Sequence, residues 1–85
     1  MDDPVVNEMR NLAQAAAKSV HPDFTIHDFR MTKGETNINL IFDLVTPADC
    51  CMIAEDAEGQ VSERIREVVP NSFCVIRVEI GRAHV

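Results

Sequence analysis

Residues 26–47, IHDFRMTKGETNINLIFDLVTP, decide how this chain folds, because they have the pattern of a β-hairpin. The second strand of the hairpin is regular and has apolar residues at every second position, namely Ile38, Leu40, Phe42 and Leu44. Side chains alternate between the two faces of a β-strand. This strand is therefore expected to have one side facing a core and one side facing outward.

The first strand of the hairpin breaks this alternation. Ile26, Phe29 and Met31 are apolar, but the spacing between the first two prevents all three from sharing one face of a regular strand. The polar pair His27 and Asp28 stands where the alternation fails. A β-bulge, which inserts one extra residue into a strand, would explain the break and would turn His27 toward the outward face.

Helical patterns lie on both sides of the hairpin. The first helix is expected over residues 3–20, with Asp3 as a good N-cap and Pro4 at the first helical position. A second helix is expected over about residues 49–68, where apolar residues recur every three or four positions. A last strand is expected over residues 73–80. The order of elements is α-β-β-α-β.

This order predicts an α+β fold, a ferredoxin-like α-β-β-α-β sandwich with two helices on one face of a three-stranded sheet. Residues 1–85 are expected to form a single domain whose core runs from about residue 4 to residue 80. The core side of the last strand is expected to carry Cys74, Ile76, Val78 and Ile80. The opposite face of the sheet is expected to carry Ile41, Val45, Phe73 and Val75 among polar residues, which is typical of a partner surface.

Size and cysteine content favour a dimer in a reducing compartment. A chain of 85 residues buries only about 60–65% of the surface that its unfolded form exposes. Three cysteines, two of them adjacent as Cys50 and Cys51, do not make a disulfide framework. We interpret Cys50 and Cys51 as free thiols, since neighbouring cysteines do not easily bind one metal ion together. Oligomerisation is the other common way to stabilise a small domain.

Charge and motifs exclude several classes of function. The formal net charge is −6, and the chain has no Tyr, no Trp and no cluster of Lys or Arg, so no nucleic-acid partner is expected. No signal peptide or apolar run of the ~20 residues needed to span a membrane is present, which predicts a soluble chain. No catalytic motif is visible, and we do not expect an enzyme.

The outward face of the sheet carries the candidate site. His27, Asp43 and Glu79 supply nitrogen and oxygen donors of the kind that bind zinc or a similar cation. Arg77 lies among them, and a surface ion pair with Asp43 or Glu79 is the competing interpretation. His21 and His84 lie near the ends of elements and are interpreted as solvated.

Three stretches, HPDFTIHDFRM, TNINLIFDLVTP and VVPNSFCVIRVEI, resemble the C-terminal cytoplasmic domain of cation diffusion facilitator transporters in order and spacing. The resemblance covers about residues 4–80. It implies a homodimeric regulatory domain, attached to a membrane-embedded exporter of zinc or another divalent cation that is absent from this chain. It also implies that the domain lies on the cytoplasmic side of the membrane and that binding of cytosolic metal draws the protomers together. No metal is expected to be required for folding.

The resemblance implies metal ligands residue by residue. The hairpin histidine of the family matches His27, and the ligand position in the second strand is Asp43. The paired positions in the last strand are Arg77 and Glu79, and arginine is not a metal ligand. A helix histidine of some members falls near Glu55. The site is expected to bind weakly, to bind a harder cation than zinc, or to have become an ion pair centred on Arg77. The alternative function is a stand-alone ferredoxin-like module for a small ligand or a protein partner.

Overall fold

A computed structural model describes residues 4–48 and 52–81 of the chain. It has five elements, which are α1 Pro4–Val20, β1 Thr25–Lys33, β2 Ile38–Thr46, α2 Ala54–Val68 and β3 Ser72–Ile80. The predicted order α-β-β-α-β is confirmed. Asp3, which was expected to cap the first helix, lies outside the described residues, as do Cys50, Cys51 and His84.

The sheet has the order β1-β2-β3, so the most regular strand of the sequence lies in the middle. β2 pairs antiparallel with β1 through the hairpin and parallel with β3, and the segment that contains α2 connects the two parallel strands. Leu40, Phe42 and Leu44 of β2 are buried on the side that faces the helices. The alternation read from the sequence therefore gives the correct core face of the central strand.

Both helices cover that one face, and small residues of α1 permit a close approach. Ala13, Ala16 and Ala17 of α1 are buried, and α2 contributes Ala57, Val61 and Ile65 to the same core. α1 is also tied to the start of β1 by Gln14, whose Nε2 donates to the carbonyl of Phe24 at 3.3 Å and whose Oε1 accepts from the Ile26 N–H at 3.4 Å. These contacts fix where β1 begins.

A bulge in β1 explains why the alternation of apolar residues fails between Ile26 and Phe29. His27 pairs with Asp43, the register then shifts, and pairing resumes at Arg30 opposite Ile41. Asp28 within the shift has a φ of 55°, in the left-handed region that aspartate tolerates better than most residues. Because of the extra residue, the apolar side chains Ile26, Phe29 and Met31 all pack in or against the core. The predicted bulge is confirmed, and it leaves His27 on the opposite face.

The left-handed conformation of Asp28 gives the first testable prediction. A β-branched residue is strained at this φ, so Asp28→Val is expected to lower the free energy of unfolding by about 1–2 kcal/mol. Asp28→Gly is the matched control and is expected to stay within about 0.5 kcal/mol of the parent, because glycine adopts positive φ freely. Urea denaturation of the two variants measures both values. Equal stability of the Val and Gly variants would contradict a bulge at this position.

Two boundaries differ from the sequence prediction. α2 begins at Ala54 rather than near residue 49, since Ile53 is the N-cap residue, with an extended backbone (φ −74°, ψ 156°) and no side-chain cap. Acidic residues in the first turn, Glu55 and Asp56, favour a start there because they interact with the positive end of the helix dipole. Ile80 was expected on the core side, but it is 70% exposed at the last position of β3, although Thr46, its partner on β2, is buried.

Candidate metal site

His27, Asp43 and Arg77 form one row across the sheet. His27 is paired with Asp43 in the antiparallel register, and Asp43 is paired with Arg77 in the parallel register. Residues paired in this way lie on the same face. Their neighbours Ile26, Leu44 and Val78 are buried or packed against the core, so the row lies on the side of the sheet that the helices leave uncovered. We call that side the open face.

Arg77 makes the closest charged contacts in this row. Its Nε lies 4.0 Å from Asp43 Oδ1, and its Nη2 lies 3.7 Å from Glu79 Oε2. The Arg77 side chain is 76% exposed and that of Asp43 only 19%, so the guanidinium extends into solvent above a partly covered carboxylate. Exposed pairs at such distances contribute about 0–1 kcal/mol to stability. The arrangement agrees with the interpretation of an ion pair centred on Arg77.

Glu79 belongs to the next row, where it is paired with Val45, and it meets the first row only through the Arg77 contact. His27 is exposed beside Asp43. Imidazole and carboxylate groups are suitable ligands for a divalent cation. However, residues 4–48 and 52–81 contain no group of three His, Cys, Asp or Glu that could hold a metal ion. The donor types therefore fit a cation, but their arrangement in this conformation does not, and the ligand set His27, Asp43 and Glu79 stays a prediction.

Arg30 was not expected at this site from the sequence. Because the bulge adds a residue before it, Arg30 lies on the open face opposite Ile41, in the row next to His27 and Asp43. The signal in the sequence was its position between Phe29 and Met31, two residues that both pack against the core. Among the residues that the structure describes, the open face thus carries two guanidinium groups, those of Arg30 and Arg77.

Other candidate ligands lie away from the row. Glu55 is in the first turn of α2, on the helical side of the domain. His21 stacks on Phe24 with ring centroids 5.0 Å apart, and its Nδ1 accepts a hydrogen bond from the Asp23 N–H at 3.0 Å, so it is less solvated than expected. Burial raises the pKa of the Cys74 thiol, against smaller lowering effects of Ser62 and Arg66. Cys74 packs against the core as predicted.

The remainder of the open face is partly apolar, as the sequence predicted. Phe73 is 54% exposed and Val75 is 49% exposed, while Ile41 and Val45 are half-buried. The register places Val75 beside Ile41, in the row next to Asp43 and Arg77, and Phe73 beside Asn39 one row farther on, so these side chains are adjacent rather than scattered over the surface. Adjacent apolar residues on an open sheet face are typical of a surface that contacts another protein.

No protein-family model and no curated protein matches the chain. Solved structures do match. CzrB, a candidate zinc transporter, is similar with a TM-score of 0.74 at 19% identity, over 96% of this chain and 99% of that one. The C-terminal domain of MamB, a magnetosome protein of Desulfamplus magnetovallimortis BW-1, has a TM-score of 0.70 at 16% identity, over 98% of this chain and all of that one (100%).

A third similar structure is the metal-bound C-terminal domain of the CzcD transporter from Thermotoga maritima, with a TM-score of 0.67 at 15% identity. It is matched over 93% of this chain and 94% of that one. At these identities the likeness shows the fold. The predicted ferredoxin-like fold is confirmed, and the resemblance to transporter C-terminal domains is confirmed at the level of the fold. Within residues 4–48 and 52–81, neither helix has the length and apolar character required to cross a membrane.

Proposed function

We propose that this chain is the cytoplasmic regulatory and homodimerisation domain of a divalent-cation efflux transporter of the cation diffusion facilitator type. The observation that carries the proposal is the length of the structural match, which covers nearly all of this chain and of each similar domain. Two of the three are C-terminal domains, and two are described as transporters. The chain then has no catalytic role, and the exported cation is the substrate of the membrane part.

The open face is the surface that we propose for dimerisation. It combines exposed Phe73 and Val75 with half-buried Ile41, and the two helices leave it uncovered. Burial of such apolar groups against a second copy contributes about 25 cal/mol per Å² removed from water, which is valuable to a domain of only 85 residues. A second copy on this face would also cover the row that contains His27.

The same face is where we propose that a regulatory cation acts. His27, Asp43 and Glu79 would supply imidazole and carboxylate ligands, and the cation would add positive charge that offsets the carboxylates of both strands. In the present conformation Asp43 and Glu79 both contact Arg77. Binding therefore requires the exposed Arg77 side chain to move, and the proposed site has low affinity.

Sedimentation and calorimetry test the proposed function together. We expect the isolated chain to form a homodimer at high micromolar concentration and to take up zinc, manganese or cadmium. A chain that stays monomeric and takes up none of the three metals would fail both parts of the proposal and would favour a stand-alone ferredoxin-like module. The reading frame of the parent gene separates the same two alternatives, because a transporter requires several hydrophobic segments upstream of residue 1.

Replacement of His27 tests its place among the ligands. A ligand that binds only the folded state raises Tm by mass action, so loss of about tenfold in zinc affinity in His27→Ala should reduce the zinc-induced rise in Tm by about 5 °C. The control is His21→Ala, which removes an imidazole from the turn between α1 and β1, away from the open face. Differential scanning fluorimetry with and without zinc measures both variants. An unchanged zinc-induced rise in Tm in His27→Ala would show that His27 is not a ligand of the cation.

A further inference from the structure

One guanidinium lies between the two carboxylates of the open face. Arg77 approaches Asp43 of β2 through Nε and Glu79 of its own strand through Nη2. Asp43 is on the central strand and its side chain is only 19% exposed. A cation can therefore reach its carboxylate from few directions. The Arg77 guanidinium already lies on the solvent side of that carboxylate.

The guanidinium is tethered to the site. Its contacts are long, at 4.0 and 3.7 Å, and its side chain is 76% exposed, so breaking either contact costs little. However, Arg77 is paired in register with Asp43, so its charged group stays within one side-chain length of the carboxylate even after both contacts are broken. A divalent cation that binds Asp43 must therefore displace the guanidinium, and repulsion from that positive charge lowers the affinity of the cation.

We propose that Arg77 sets the divalent-cation affinity of the open face and keeps it low, because its guanidinium competes within the chain for Asp43 and Glu79. The inference rests on the proposed function, since it concerns the cation site named there. The Arg77 guanidinium contacts one carboxylate of β2 and one of β3, and these are two of the groups that would hold a cation. The domain therefore responds only to a high cation concentration.

The substitution that tests this proposal is Arg77→Met, which keeps an unbranched side chain and removes the charge. We expect zinc and manganese affinities about tenfold higher than in the parent chain, measured by isothermal titration calorimetry with the chloride salts. Arg77→Lys keeps a positive charge but loses the planar fork, and we expect it to retain the low affinity. The double variant Arg77→Met with Asp43→Asn is expected to lose the gain, because the carboxylate for which the two cations compete is gone.

Arg30→Met is the matched control. It removes the same charge from the same face, one row away, at a position paired with Ile41 rather than with a carboxylate. We expect its affinity to stay within about twofold of the parent chain, because solvent and salt screen a charge that is farther away. An equal gain in both single variants would overturn the proposal in favour of a general effect of net charge. An unchanged affinity in Arg77→Met would also overturn it.

The oligomeric state separates this inference from the proposed function. Sedimentation of Arg77→Met and of the parent chain is run on the samples used for calorimetry. If both chains are dimers and their metal affinities are equal, only the proposed role of Arg77 is contradicted. If both are monomers and neither binds zinc or manganese, the proposed function fails as well.

Discussion

Replacing Phe42 with alanine is expected to lower the free energy of unfolding by about 3–5 kcal/mol, a large part of the stability of so small a domain. Phe42 is in the central strand, is 1% exposed and stacks on Phe29 with ring centroids 6.0 Å apart. Its removal leaves a cavity between the sheet and both helices and also removes the aromatic contact with the bulged strand. Urea denaturation followed by circular dichroism measures the loss.

Val68→Ala is the control for this substitution. Val68 ends α2 and is 65% exposed, so its truncation is expected to change the free energy of unfolding by no more than about 0.5 kcal/mol. A loss below about 1 kcal/mol in Phe42→Ala would contradict the central position of Phe42 in the core. The comparison also tests the choice of core face, because a hairpin in the opposite register would place Phe42 on the open face.

Replacing Phe73 with glutamate is expected to weaken the homodimer by about 30-fold or more. Large aromatic residues at the centre of an interface commonly contribute at least about 2 kcal/mol to binding, and a buried charge without a partner adds to the loss. Phe73 is 54% exposed on the open face and lies next to Asn39 across the sheet. Sedimentation equilibrium over a range of concentrations measures the dimer dissociation constant.

Val68→Glu is the matched control for the interface. It places the same negative charge on another exposed apolar residue, but on the helical side of the domain, in a chain whose net charge is already −6. We expect its dimer dissociation constant to stay within about threefold of the parent value. Equal weakening by the two substitutions would show that charge repulsion, rather than the open face, controls association.

The sequence was sufficient for the order of elements and for the irregular strand. Alternation in β2 identified its core face, and the failure of alternation between Ile26 and Phe29 located the bulge, because only an extra residue lets both pack against the same core. Residue types and spacing report directly on such features, since a strand has a strict period of two. The match of the fold to the three solved structures followed from the same order and spacing.

The start of α2 and the exposure of Ile80 could not be read from the sequence. Ile53 fits the apolar stripe of the helix, but it is the N-cap residue and is 63% exposed, because periodicity does not say where a helix begins when no capping side chain is present. Ile80 follows the alternation of β3, but it is the last residue of an edge strand and is 70% exposed. Both outcomes depend on tertiary packing.

The candidate site was only partly accessible to sequence reasoning. The open face and four of its polar residues were identified, but the distances between these residues depend on strand register and side-chain conformation. The register puts His27, Asp43 and Arg77 in one row and Glu79 in the next. The simultaneous contact of Arg77 with Asp43 and Glu79, on which the proposed competition depends, is a result of that geometry.

Sedimentation equilibrium of the unmodified chain, with and without excess zinc, is the decisive measurement for the proposed dimerisation through the open face. We expect a homodimer at high micromolar concentration whose dissociation constant falls when zinc is added, because a cation on the open face offsets the negative charge of both copies. A chain that remains monomeric over the whole concentration range, with or without zinc, would show that the open face is not a homodimer interface.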